Sequence, residues 1–360
     1  MTTLGTGFTA RQLDALRAFI LWKADADTVD IAEPVKLSGG AIQENWLLAL
    51  DIRGGAHEGR HDWVLRRDSR GGIGQSHGRA SEFALLKAAF ESGVTVPEPL
   101  WLDTDTRIVG APFFLMRRVD GMATGHRIVK QQAETPQPSG VAERLGAELA
   151  RIHTIRPPRQ DLGFLAPVDT TPALDLVARI RGELDAHALP RPALEWGLSW
   201  LERHAPATRD IVLCHRDFRT GNYMMDGNRL TAIIDWEFAG WGDGMEDIGW
   251  FCARCWRFGQ PSREAGGVGE REDFYRGYAS VSGLWPDDEV VRYWEVMAHV
   301  RWALIALQQA RRAHAADPES LVLALTGHIV PELELEILRM TPPAASAAAV
   351  QAHARGEQHA

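Results

Sequence analysis

Cysteine is scarce in this sequence: three in 360 residues. That odd, small number excludes a disulfide framework as the basis of stability. No apolar stretch reaches the roughly 18 to 20 residues of a membrane-spanning helix, because Arg, Glu, Asp or His interrupts every candidate. No basic N-terminal segment leads into an apolar core and cleavage site, so with the cysteine count the expected compartment is cytoplasmic. An excess of positive charge is missing as well. The formal net charge is -9, a field that repels nucleic acid and anionic lipid and leaves neither as an expected partner. There is no Gly-x-x-x-x-Gly-Lys-Ser/Thr sequence, which excludes a P-loop phosphate site, and no fixed-period repeat to suggest a solenoid or propeller.

What is present is ordinary globular composition, 45% hydrophobic and 24% charged, in a chain too long for one small core. Thr9 and Gln12 form a capping-box pattern ahead of Leu13, Leu16, Phe19 and Ile20, so the chain opens with a helix. Short apolar runs at 35–37, 46–51 and 63–66, separated by glycine-rich breaks, predict antiparallel strands. Phe83, Leu86 and Phe90 predict a helix over 81–91, ending near Gly93, with further strands at 100–102 and 113–116. About five strands and an internal helix make a first, α+β lobe over 1–117. From 118 to 340 the pattern is mostly helical, with Val141, Leu145, Leu149 and Ile152 on one stripe and another helix at 194–204. The polar, proline-containing stretch 131–140 reads as a surface loop. Strands are expected at 211–214, 223–225 and 230–234, the last two joined at Asp226, Gly227 and Asn228. The Ala-rich tail, 341–360, has no apolar stripe and is expected to be disordered or loosely helical.

The strongest chemical signal is Cys214-His215-Arg216-Asp217-Phe218-Arg219-Thr220-Gly221-Asn222, followed after the hairpin by Asp235-Trp236-Glu237. Phosphoryl transfer needs a carboxylate to orient the attacking hydroxyl and oxygen ligands to hold magnesium against nucleotide phosphates. Asp217, Asn222 and Asp235 are those residue types. Cys252 and Cys255 have no second pair and lie among Trp250, Phe251 and Trp256, which reads as a packed helix rather than a zinc site. Cys214 reads as a core cysteine, and no further His or Asp cluster at ligand spacing supports a metal-dependent hydrolase.

His-Arg-Asp, an Asn five residues after the Asp, and an Asp after the next hairpin resemble the catalytic and metal-binding loops of protein kinases. Asp235-Trp236-Glu237 replaces Asp-Phe-Gly, and no Ala-Pro-Glu follows. The chain therefore looks like the aminoglycoside phosphotransferase and choline kinase-like family. Ile234-Asp235-Trp236-Glu237, Gly242-Asp243 and Asp247 resemble the kinase-like domains found alone or fused to acyl-CoA dehydrogenases, over roughly residues 30 to 320.

The resemblance implies an α+β, protein-kinase-like bilobal fold with a small antiparallel-sheet lobe and a mostly helical lobe. It implies ATP or GTP as co-substrate, Mg2+ and a small-molecule hydroxyl acceptor, in a monomer or homodimer. Asp217 becomes the catalytic carboxylate, Asn222 and Asp235 the magnesium ligands, and His215 and Asp247 braces of the loop. Ser38, Gly39, Gly40 and Ala41 match the nucleotide loop, where small residues admit phosphate to backbone N–H groups. Arg66 matches the phosphate-contacting Lys of the third strand, with Glu82 as its helical partner, and Arg67 is the competing choice for that role. Met116 and Arg117 match the hinge that meets the base. A kinase-shaped protein that binds nucleotide or ligand without catalysis is the alternative.

Overall fold

Thr9 caps the first helix, α1 (Ala10–Ala24), through a complete capping box with Gln12, and Leu16, Phe19, Ile20 and Ala24 form its buried face. In the computed structural model, residues 7–37, 43–68, 77–136, 138–168, 171–186, 190–311, 321 and 324–343 are described. The chain divides into two compact units, Met1–Thr170 with Thr208–Asp288, and Thr171–Ala207 with Glu289–Ala360.

In the first unit, strands β1 (Thr28–Ile31), β2 (Val35–Lys36), β3 (Gln43–Arg53), β4 (Gly59–Asp68), β5 (Pro99–Asp103) and β6 (Phe113–Arg117) form one sheet. Its order is β1-β3-β4-β6-β5, with β2 also on β3, and every pairing is antiparallel. Side chains alternate across a strand. Trp46, Leu48, Leu50 and Ile52 of β3 and Trp63 and Leu65 of β4 therefore share one face, and there they pack with Phe8 and the buried stripe of α1. The sequence pattern passed over β1, a four-residue strand with a single buried residue, Val29.

Helix α2 (Arg79–Glu91) begins two residues before the expected start. Its buried face is only partly the expected one: Arg79, Glu82, Leu85, Leu86, Ala88 and Ala89 face inward, whereas Phe83 is half-buried and Phe90 exposed. The large apolar residues misplace the stripe because two charged side chains, Arg79 and Glu82, are among the buried ones.

Strand β6 leads past Gly121, whose φ of 127° lets the backbone come against Met225, and Met122 then pairs with Met225. Helix α3 (Thr106–Val109) lies between β5 and β6, and α4 (Gly125–Glu134) follows Met122. The start of the expected loop at 131 is thus helical, and the buried Gln132 donates to Asn228 Oδ1 at 2.9 Å. Helix α5 (Val141–Ile152) buries all four predicted stripe residues. Strand β7 (Ile211–Cys214) pairs with β10 (Gly240–Asp243), and β8 (Tyr223–Asp226) with β9 (Arg229–Ile233) across Gly227 and Asn228. Gly240-Trp241-Gly242-Asp243 has no strand signal; pairing with β7 makes it one. Helices α8 (Gly244–Cys252) and α9 (Arg271–Ser282) complete the unit.

The second unit contains α6 (Pro172–Asp185), α7 (Pro192–Arg203), α10 (Asp288–Arg311) and α11 (Val330–Met340). Gly197 of α7 makes room for Ile337 and Val300, and Trp196 donates its indole N–H to the Thr341 carbonyl at 2.9 Å. Residues 344–360, most of the tail expected to lack order, lie outside the described residues. No described helix is long and apolar enough to cross a membrane.

Helices α5 and α9 approach at glycines. A Cβ at Gly146 would collide with the backbone of Phe274, and one at Gly277 with the carbonyl of Glu143. Helix propensity favours Ala over Gly by ~1 kcal/mol, but a backbone atom of a packed neighbour cannot step aside. Gly146→Ala should therefore destabilise the protein by about 2 kcal/mol. Gly182→Ala, at an exposed helical position with nothing within 4 Å, should stabilise it by up to ~1 kcal/mol. Denaturant unfolding of the two variants checks the opposite signs.

Candidate active site

Asp243 caps α8 by accepting the Met245 N–H at 2.9 Å, which sets Asp247 in the first turn of that helix with no solvent exposure. Its Oδ2 accepts the His215 N–H at 2.6 Å and its Oδ1 the Arg216 N–H at 2.7 Å. His153 Nε2 lies 3.3 Å from Oδ2, and His153 Nδ1 is 2.9 Å from the Tyr278 hydroxyl. Burial alone would raise the Asp247 pKa, but the hydrogen bond and charge of His153, with the His215 N–H, hold it below the usual carboxylate value. Asp247 thus fastens two consecutive peptides of the loop after β7. The loop turns there: Arg216 takes φ 63° and donates to the Trp241 carbonyl at 2.6 Å. A Cβ at Gly240 would press on its guanidinium.

His153, Cys214 and Asp247 bring ligand-type atoms within 4.8 Å of one another. Both Asp247 oxygens already accept N–H groups and both His153 ring nitrogens have partners, so the three read as a hydrogen-bonded core cluster. The Cys214 thiol, pushed well up by burial and then by the Asp247 charge, lies 3.3 Å from the Asp243 carbonyl as a donor. Cys214 is a core cysteine, as read from its strand.

Beyond the turn, the Asp217 N–H donates to His215 Nδ1 at 3.3 Å, and His215 Nε2 in turn meets the Ile234 carbonyl at 3.0 Å. The His215 ring therefore links the two loops that carry the predicted site, as a brace. The Asp217 carboxylate is 14% exposed. Its Oδ1 accepts from Trp250 Nε1 at 3.0 Å and Arg219 Nε at 3.1 Å, and its Oδ2 from Asn222 Nδ2. Asn222 also donates to the Asp217 carbonyl at 3.0 Å, and its own carbonyl accepts the Ile234 N–H at 3.0 Å, next to Asp235. The Arg219 guanidinium rests on the Trp256 ring, 4.7 Å from its centroid. Asp217 and Asn222 are thus in direct contact, with Asp235 one residue beyond the bond that ties Ile234 to Asn222.

Asp235 holds φ 72°, which turns its 34% exposed carboxylate toward the sheet. Arg66 meets it with Nη2 3.0 Å from Oδ1 and grips Glu82 with two nitrogens, Nε at 3.2 Å and Nη2 at 2.8 Å. Burial alone would lower the Arg66 pKa; the charges of Glu82, then Asp235, raise it well above the ordinary arginine value. Strand alternation separates the two candidate arginines. Arg67 points to the other face, paired with Glu44 at 2.7 Å and stacked 4.6 Å from the Phe8 ring centroid. Arg66 is the one that shares a side with Glu82 and Asp235.

The other predicted residues are more dispersed. Met116 is half-buried on β6 opposite Val64, and Arg117 is exposed and paired with Glu98 at 2.7 Å. Ser38, Gly39, Gly40 and Ala41 lie outside the described residues. Cys252 is buried at the end of α8, but Cys255 is only half-buried in a short 3-10 turn, Arg254–Trp256, so the two do not share one packed helix. Sequence reading missed Trp250 and His153: an indole on an apolar helix reads as core, and nothing local marks its N–H as aimed at Asp217.

A model of the phosphotransferase enzyme family matches residues 34–284. The chain belongs to that family. Acyl-CoA dehydrogenase family member 10 of Mus musculus is 28% identical over 197 residues, 52% of this chain and 18% of that protein. The chain spans less than a third of the acyl-CoA dehydrogenase relatives it matches. Among solved structures, a candidate aminoglycoside phosphotransferase from Ralstonia eutropha superimposes with TM-score 0.71 at 18% identity, covering 93% of this chain and 99% of that one. A spectinomycin phosphotransferase, solved with ADP and spectinomycin, gives 0.60 at 13%, covering 90% and 98%. At such identities the likeness shows the fold, which is kinase-like, with an antiparallel sheet at the N-terminal end and a mostly helical remainder. The family resemblance read from the loops is borne out.

The Asp247 brace has a measurable signature. An amide at this position offers one acceptor oxygen for two backbone donors, so Asp247→Asn should cost about 2–4 kcal/mol. Because the folded carboxyl lies below 3.8, its contribution is present above that value and lost as pH falls through the lower folded one. Unfolding free energies of both proteins should therefore converge in acid.

Proposed function

We propose that this family member transfers the γ-phosphoryl group of ATP or GTP to a hydroxyl of a small molecule. The observation that carries this reading is the joining of Asp217 and Asn222, through Ile234, to an Asp235 paired with Arg66. The named neighbours support it: one is a spectinomycin phosphotransferase solved with ADP and spectinomycin.

The donor set suits magnesium, which prefers hard oxygen ligands. Arg66 takes Oδ1 of Asp235, and Asn222 uses its amide nitrogen on Asp217. Asp235 Oδ2 and Asn222 Oδ1 are the oxygens that would hold the ion. When bound, magnesium would neutralise charge on the nucleotide phosphates. Arg66, held on edge by Glu82, would supply further positive charge to the same phosphates. Asp217 would orient the acceptor hydroxyl by accepting its hydrogen bond, and would take the proton late as the new P–O bond forms and the bond to the β-phosphate oxygen breaks. Trp250 and Asn222 keep the carboxylate from rotating away. We place the reaction in the cytoplasm, in a monomer or homodimer.

Asp217→Asn should lower turnover by about 10²–10⁴-fold while leaving nucleotide affinity near that of the wild type, measured by steady-state kinetics and calorimetry. Asp235→Ala should weaken calorimetric binding of magnesium-ATP by about tenfold or more. Wild-type protein that binds nucleotide but phosphorylates no compound in a broad hydroxyl screen would point to the non-catalytic alternative, and unchanged binding in Asp235→Ala would remove the metal assignment.

A further inference from the structure

Arg79 has no place in the roles described so far, yet its side chain has no solvent exposure. It stands in the first turn of α2 and pairs with Glu82 Oε2, the oxygen that also accepts Arg66 Nε. Its Nε lies 2.8 Å from Asp68 Oδ1 at the end of β4, and its Nη2 donates to the His77 carbonyl at 3.2 Å. His77 in turn is bound to the segment after Asp235: its N–H donates to the Glu237 carbonyl at 2.9 Å, and its Nε2 is 2.7 Å from the Ala239 carbonyl. One buried guanidinium therefore touches the strand that carries Arg66, the helix that carries Glu82, and the residue strapped to the Asp235 loop.

A buried arginine is costly unless its partners are well placed, and a helix is stabilised by an acid, not a base, in its first turn. Local preference thus disfavours Arg79, and what offsets this is tertiary: Glu82 and Asp68. Without Arg79, Glu82 would be anchored through Arg66 alone, and the Arg66–Glu82 pair could turn together on two flexible side chains. Shared between two arginines, Glu82 is held from both sides, and Arg66 stays aimed at Asp235.

We propose that Arg79 is a positioning residue for nucleotide binding, acting through Glu82 on Arg66. The inference rests on the phosphotransferase reading, and magnesium-ATP is the probe. The test is a double-mutant cycle on the full chain by calorimetry, with Arg79→Met, Arg66→Ala and the pair, alongside Arg79→Lys. Arg79→Met should weaken magnesium-ATP binding about tenfold, chiefly as a rise in KM for ATP with a smaller change in kcat. In the Arg66→Ala background the same change should have little further effect, and Arg79→Lys should restore much of the affinity. Additive losses in the double variant, or unchanged affinity in Arg79→Met, would overturn the proposal. If Arg79→Met does not fold, Asp68→Asn, which loosens Arg79 from a part-exposed position, replaces it in the cycle with the same expected direction. Absence of nucleotide binding by the wild type would instead overturn the phosphotransferase reading itself.

Discussion

A carboxylate with no solvent exposure must be met by donors or give up its charge, and Asp247 is met by the backbone of the loop it organises. The rest of the site follows from that bond pair. With the His215 and Arg216 peptides fixed, the chain must turn at Arg216 in a left-handed conformation, and Asp217 leaves the turn toward Trp250 and Asn222. Asn222 then holds Ile234, and the residue after Ile234 is Asp235. Each step is a backbone or charge-assisted hydrogen bond in a buried setting, where geometry is most tightly enforced.

The second constraint comes from the sheet. Alternation in β4 divides adjacent arginines between two environments: Arg67 enters the aromatic cluster with Phe8 and Trp46, and Arg66 enters the acidic one with Glu82 and Asp235. Arginine suits the second place because its planar fork reaches two carboxylates at once, which the compact ammonium of lysine does less well.

Much of this was legible in the residues. The capping box of α1, the stripe of α5 and the hairpin at Gly227 are local features, and each appears where the pattern places it. The loop motifs were equally plain, since a motif read at fixed spacing needs no knowledge of packing. The failures share a cause. Strand β10 exists only because β7 lies beside it, and α2 buries Arg79 while Phe90 stays exposed because Asp68, at the end of β4, awaits that guanidinium. Periodicity ranks side chains by apolarity and cannot see a distant counter-charge.

By itself the sequence determined the membership of a family, most of the succession of sheet and helices, and the placing of Asp217, Asn222 and Asp235 in two loop motifs, because these depend on residue type and spacing along the chain. Only the tertiary structure decided that Arg66 rather than Arg67 meets Asp235, that Trp250 holds Asp217, and that Arg79 stands behind Glu82. Those are choices among side chains of similar local propensity. They are made by which partner lies across the fold, since a buried charge or N–H is stable only where its complement has been brought to it.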